Sequence, residues 1–287
     1  MKRLFSLQVL IVVSIMFSVD DSHASRCDAF KRYVEQYTLA IHHDGHLPQG
    51  NIQHPEHAYL IQKCVIEHSR HRIVGYKAGL MNARAQRRFD AREPVFGVLQ
   101  AHHVSPAAAL QLKPHRVFLA EAELAMKLKT DITNLQMLND VLSGDMKSFV
   151  DSVALAIEIA DFNFRQPQTV NARDIIAANV GAAHVYVGEF VNIEQVELGQ
   201  LKMTFVSPAQ DVADEMMLPV DYETQLKWLI RKAYLEGYAL KKDMVLLGGS
   251  LSPLRPVQPG EYRLKSKNFG MLSLVVHQCG GIFEIRQ

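Results

Sequence analysis

The chain has 287 residues, 48% of them apolar, and its 31 Lys and Arg against 30 Asp and Glu leave a net charge of +1. That balance excludes a basic nucleic-acid footprint and an acidic disordered block. The apolar content is enough for a sizeable core in one domain, or in one domain with a small appendage.

Lys2 and Arg3 precede an apolar run from Leu4 to Val19, followed by the polar segment Asp20-Asp-Ser-His-Ala24. This three-part form is that of a secretory signal over residues 1–24, cleaved after Ala24 and before Ser25. The run is short for a membrane span, which needs roughly 20 residues; an uncleaved anchor is the alternative. The expectation is an exported protein, periplasmic or secreted, with no membrane attachment after cleavage. Three cysteines remain, Cys27, Cys64 and Cys279. Export allows one disulfide and an odd thiol. Cys27 and Cys64 fall in consecutive helical segments and are the first guess; three buried thiols are the alternative.

From Cys27 to His42 the apolar positions Phe30, Tyr33, Val34, Tyr37 and Ile41 recur at three and four residues, an amphipathic helix. A Gly-, Pro- and His-rich loop follows, and a second helix is predicted over 55–68 with Pro55 in its first turn. Residues 25–71 are therefore read as an N-terminal helical segment. Short apolar strands come next, at 72–80, 117–128, 153–160, 185–187, 201–206, 244–247 and 272–277. Helices interrupt them at 135–142, 172–179 and 222–237. Strands mixed with irregular loops and a few helices predict an α+β domain over 72–287 rather than regular βαβ winding.

Two carboxylates stand out in Val117-Phe-Leu-Ala-Glu-Ala-Glu-Leu-Ala-Met126. On a strand of period 2, Glu121 and Glu123 leave the same face, about 7 Å apart. In an apolar surface they repel one another and lose hydration unless a cation compensates. Glu158, in Ser152-Val-Ala-Leu-Ala-Ile-Glu-Ile-Ala160, has a similar context. Three such acids point to a hard divalent cation, Mg²⁺ or Mn²⁺, held by oxygen. The alternative puts Glu121 and Glu123 on the wet face of an antiparallel strand. Lys77, in Ile73-Val-Gly-Tyr-Lys-Ala-Gly-Leu80, either snorkels to the surface or meets an anion, where it would stabilise developing negative charge or move a proton. Successive backbone N–H groups of the turn Gly248-Gly-Ser-Leu-Ser-Pro253 can cradle an anion, although a plain turn is commoner and the phosphate-loop ending is missing. His42, His43 and His46 match no zinc spacing, and no Gly-x-Ser-x-Gly elbow supports a nucleophilic triad.

These residues fall in an order that resembles the fumarylacetoacetate hydrolase superfamily, in its 2-keto-4-pentenoate hydratase and 4-oxalocrotonate decarboxylase branch. The resemblance runs from about Tyr59 onward. It rests on Val74-Gly-Tyr-Lys-Ala-Gly-Leu80, Glu93-Pro-Val-Phe-Gly-Val-Leu99, Ala120-Glu-Ala-Glu-Leu-Ala125, Ala156-Ile-Glu-Ile-Ala-Asp161, Ile176-Ala-Ala-Asn-Val-Gly181 and Leu251-Ser-Pro253. It implies a mixed β-sandwich roll with flanking helices, homo-oligomeric, around Mg²⁺ or Mn²⁺. It also implies Glu121, Glu123 and Glu158 as metal ligands, Lys77 as the active-site lysine, and Asn179, Gly249, Ser250 and Leu251 around the substrate. The chain departs from the pattern at His102, Ala178, Asn163 and Gly248, and in a loop not recognisable between Val206 and Tyr222. The expected activity is that of a lyase on a small 2-oxo or 2-hydroxydienoate acid, hydration before decarboxylation, with His102 as a replacement proton shuttle. The rival expectation is an exported, non-catalytic module that binds a carboxylate or a protein on the same scaffold.

Overall fold

The computed structural model describes residues 27–43, 45–50, 52–106, 109–113, 115–208 and 213–278. The expected signal, residues 1–24, and Cys279 lie outside them. Helices α1 (Lys31–His42) and α2 (Pro55–Ser69) form where the three-and-four spacing placed them, with Pro55 in the first turn of α2. A disulfide joins Cys27 to Cys64, with Cα atoms 5.6 Å apart. Val34, Tyr37 and Ile61 from this segment share one core with Tyr76, Phe96 and Leu124 of the strands. The helical segment is thus packed onto the sheet. Among the described residues no helix is long and apolar enough to cross a membrane.

The strands are β1 (Ile73–Gly79), β2 (Val95–Gln100), β3 (Val104–Ser105), β4 (Ala109–Leu112), β5 (Phe118–Leu128), β6 (Val150–Asp161), β7 (His184–Val187), β8 (Val191–Asn192), β9 (Lys202–Val206), β10 (Asp214–Met217), β11 (Val245–Leu247), β12 (Arg255–Pro256), β13 (Gly260–Ser266) and β14 (Gly270–Gln278). The remaining helices are α3 (Ala83–Arg88), α4 (Leu135–Ser143), α5 (Met146–Phe149), α6 (Ala172–Ala177) and α7 (Tyr222–Leu235). One sheet has nine strands in the order β2-β1-β11-β5-β6-β7-β3, with β12 on β5 and β8 on β6. The other has five, in the order β10-β9-β13-β14-β4. The α+β class is as expected.

The long antiparallel pair β5–β6 is the centre of the larger sheet, and both of its faces are buried. Ala120, Ala122, Leu124 and Met126 enter the main core. On the other face, Ala125, Ala154, Ala156, Val185, Val187, Val245, Leu247 and Leu99 form a second apolar cluster. Cross-strand pairing puts Lys77 on this second face: Gly97 pairs with Lys77, Lys77 with Leu247, and Leu247 with Ala125. In a flat sheet Lys77 on β1 and Glu158 on β6 would be about 14 Å apart, three strand spacings. They are in contact instead, so the sheet curls on itself and this face is the inside of a roll.

Candidate metal centre and active site

The register of β5 and β6 assembles the carboxylates. Glu121 lies directly opposite Glu158, and Glu123 is two residues further along the same face. Like charges directly opposite one another destabilise a strand pair. All three residues are buried, and each offers one carboxylate oxygen within 4.8 Å of the others'. The wet-face alternative for Glu121 and Glu123 therefore does not hold.

Lys77 reaches the cluster from across the roll. Its ammonium donates to Glu158 Oε1 and, at 3.0 Å, to the Val180 carbonyl oxygen. Gly97 makes this crossing possible, because a Cβ there would lie 2.9 Å from Lys77 Cγ and 3.0 Å from Val180 Cβ. Lys77 is 2% exposed and does not snorkel. Burial works against its charge, but Glu158 and Glu121 outweigh burial and hold its pKa above the ordinary lysine value.

One lysine does not balance three acids. With all four groups ionised the cluster carries 3 − 1 = 2 uncompensated negative charges. Burial, and then the charge of Glu158, push the Glu121 carboxyl up to about 7. Burial, Glu158 and Glu121 push Glu123 well above its usual range. Glu158 Oε2 is buried without a hydrogen-bond partner. A divalent cation fits this donor set: it closes the charge deficit and satisfies the orphaned oxygen with hard oxygen ligands.

The turn after β11 serves the carboxylates. Gly249 N–H donates to Glu123 Oε2 at 3.3 Å, and Ser250 shares the cavity wall with Glu121 while its Oγ donates to Ser252 O at 2.6 Å. Gly249 has φ +116°, and a Cβ there would lie 2.5 Å from Met81 Cγ, so only glycine fits. Leu251 N–H donates to the Ala122 carbonyl at 2.8 Å, which pins the turn to β5. Of the residues expected around the substrate, Ser250 lines the cavity; Gly249, Leu251 and Asn179 do not. Asn179 instead clamps β2: its Oδ1 accepts from Val98 N–H at 2.8 Å and its Nδ2 donates to Val98 O at 2.9 Å. That spends its amide and aims the next carbonyl, of Val180, at Lys77.

His102 also departs from its expected place. The chain turns after β2, with Ala101 N–H bonded to Arg72 O, and His102 is exposed, its ring tilted against His71 at 4.3 Å and His103 at 4.0 Å. It does not line the cavity, so the proton-shuttle role has no geometry behind it. Next to it on the same turn is His103. That ring is buried, and its Nδ1 accepts from Gln100 N–H at 3.1 Å. Burial first, then the charges of His102, His184 and Lys77, push its pKa down to about 3.

A cavity of about 160 Å³ opens beside Lys77, Glu121 and Ser250 and is otherwise mostly apolar. Asp161, which lies in its wall, was missed as a site residue. Burial raises the Asp161 pKa, partly countered by Arg116, which donates to it through both Nε and Nη2.

The rolled nine-stranded sheet is a fold this chain shares with a solved 4-oxalocrotonate decarboxylase. Among solved structures the chain superposes on 4-oxalocrotonate decarboxylase from Pseudomonas putida G7 complexed with magnesium and adipate. That match has a TM-score of 0.75 and 16% identity, over 87% of this chain and 98% of that one. The same enzyme complexed with calcium and acetate gives 0.72 and 17%, over 86% and 96%. In sequence the chain is similar to 2-hydroxyhexa-2,4-dienoate hydratase from Comamonas testosteroni, 25% identical over 230 residues, 78% of this chain and 85% of that one. No family model matches the sequence.

Proposed function

We propose that the protein is a divalent-metal-dependent lyase acting on a small 2-oxo or 2-hydroxydienoate acid, a hydratase before a decarboxylase. The observation that carries the reading is the buried trio Glu121, Glu123 and Glu158, with one unpartnered oxygen and a charge deficit of two beside Lys77. The hydratase and decarboxylase to which the chain is similar, the latter seen with magnesium and with calcium, support it. The three carboxylates would hold Mg²⁺ or Mn²⁺. Bound there, the cation supplies Lewis acidity to the carboxylate and C2 oxygen of a 2-oxo acid. Lys77, freed from part of its pairing with Glu158, would offer its ammonium to negative charge developing on the substrate and move a proton at its Nζ. Gly249 N–H holds Glu123 in place. The apolar walls exclude water from all but the reacting end.

A second reading, an exported carboxylate-binding module, draws on one observation: apart from Glu121 and Lys77, the only ionisable residue among the described residues lining the cavity is Asp161, already paired with Arg116. Purified protein with Mg²⁺ and 2-hydroxypenta-2,4-dienoate separates the two. The lyase reading expects loss of the dienoate absorbance and a product heavier by one water. Binding without turnover would leave the module.

We further propose that the protein is exported by cleavage before Ser25. The Cys27–Cys64 disulfide supports an oxidising compartment. N-terminal sequencing of protein from the exported fraction tests this; an intact Met1 in the cytoplasm would refute it.

A further inference from the structure

The cavity beside the carboxylates has a polar end and an apolar remainder. Its polar end is Lys77, Glu121 and Ser250; the rest of its wall is built largely from Leu80, Met81, Phe89, Leu119, Phe162 and Ile175. Phe162 meets Phe89 edge-on at 6.0 Å and Phe164 edge-on at 5.2 Å, so the rings form a continuous apolar surface. Among the described residues Lys77 is the one cationic side chain lining this space, and its ammonium is already engaged by Glu158 and the Val180 carbonyl.

Two further groups bear on what a ligand's far end would meet. Asp161 is already held by Arg116, which stays outside the cavity wall, with Nη1 donating to the Ala40 carbonyl at 2.6 Å. Asn163 turns its amide away: Nδ2 donates to Gly45 O at 3.0 Å, and Oδ1 accepts from Val117 N–H at 3.3 Å. A second carboxylate on the ligand would therefore find Asp161 and aromatic rings and no cation to pair with. A cavity of about 160 Å³ has room for a hydrocarbon guest about the size of benzene.

We infer that this cavity is a subsite for an uncharged, apolar tail, so that the ligand is a 2-oxo monocarboxylate with a hydrocarbon chain and not a dicarboxylate. The inference rests on the 2-oxo acid reading proposed above. Each methylene buried there strengthens binding roughly fourfold. An unpaired carboxylate in the same place loses its hydration without recompense.

Calorimetric titration of the full mature protein with pyruvate, 2-oxohexanoate and 2-oxoadipate, all in saturating Mg²⁺, tests it. The expected order is 2-oxohexanoate tightest, ahead of both pyruvate and 2-oxoadipate by about tenfold or more. Equal or tighter binding of 2-oxoadipate overturns the tail assignment while leaving the 2-oxo acid site standing. No Mg²⁺-dependent binding of any of the three, pyruvate included, overturns the reading of the site itself and the tail with it. Leu119→Arg adds a cation to the cavity wall and should shift the ratio towards 2-oxoadipate by about tenfold. An unchanged ratio in the folded variant would place the tail elsewhere and overturn the inference; should that variant not fold, the wild-type series decides alone.

Discussion

Glu121 and His103 pull the protein's pH dependence in opposite directions. The folded pKa of Glu121 is raised from 4.5 to about 7, so the folded state keeps a proton that the unfolded chain releases. Its contribution is complete below pH 4.5 and is lost as pH rises through 7. The size of that loss is about 3 kcal/mol. In chelator, Glu121→Gln should therefore gain about that much on wild type between pH 4.5 and 7.5 in urea titrations, and a constant difference would contradict the shift. Mg²⁺ should stabilise wild type more at pH 7.5 than at pH 5, because protons and cation compete for the same oxygens. His103 has the reverse sign. Its folded pKa falls from 6.5 to about 3, so stability is lost as pH drops below 6.5. His103→Asn keeps a side-chain acceptor for Gln100 N–H and should gain about 2 kcal/mol on wild type on going from pH 7.5 to pH 5. No gain would show that the ring is not held neutral by burial.

At the scale of elements, β1 and β2 must approach closely for Lys77 to cross the roll. Gly97→Ala puts a Cβ 2.9 Å from Lys77 Cγ and 3.1 Å from Asn179 O. The crowding should cost about 1–3 kcal/mol. Equal melting of the variant and wild type would show that the strands have slack there. The disulfide between the α1 segment and α2 closes a separation of 37 residues, and its reduction should lower stability by about 3–4 kcal/mol. Thermal melts with and without reductant check it.

The same scale shows what the sequence made legible. The alternation in β5 and β6 exposed Glu121, Glu123 and Glu158 because acids in apolar strands carry an unmistakable cost. Their register did not show, since period 2 fixes a face but not the partner opposite. The Lys77–Glu158 contact was also hidden, because it depends on a sheet that curls through three strand spacings. β13 was missed: Glu261-Tyr-Arg-Leu-Lys-Ser266 has only two apolar residues, although Tyr262 and Leu264 are fully buried. β2 was read as a motif and not as a strand, since Gly97 breaks its apolar run where Lys77 needs space. Asn179 and His102 were assigned by position in a motif alone. The first spends its amide on Val98 and the second faces outward onto His71, which spacing does not reveal.

For the whole molecule, the roll suspends a cluster two charges short of neutrality over an apolar interior, and a cation should couple to global stability. At a free Mg²⁺ concentration 100 times its dissociation constant, stability should rise by about 2.7 kcal/mol. Glu123→Ala should abolish that increment. The central claim is that this cluster, with its cation and Lys77, activates a 2-oxo acid. Solvent deuterium exchange at C3 of 2-oxopentanoate tests it most directly, because an enolate at C2 forms in hydration and decarboxylation alike, and the exchange needs no knowledge of the natural substrate. Mg²⁺-dependent exchange is expected in the wild type, with a loss of about 10²-fold or more in Lys77→Met and Mg²⁺ affinity retained. Mg²⁺-dependent binding with no exchange above buffer, or exchange unaffected by Lys77→Met, would contradict that claim.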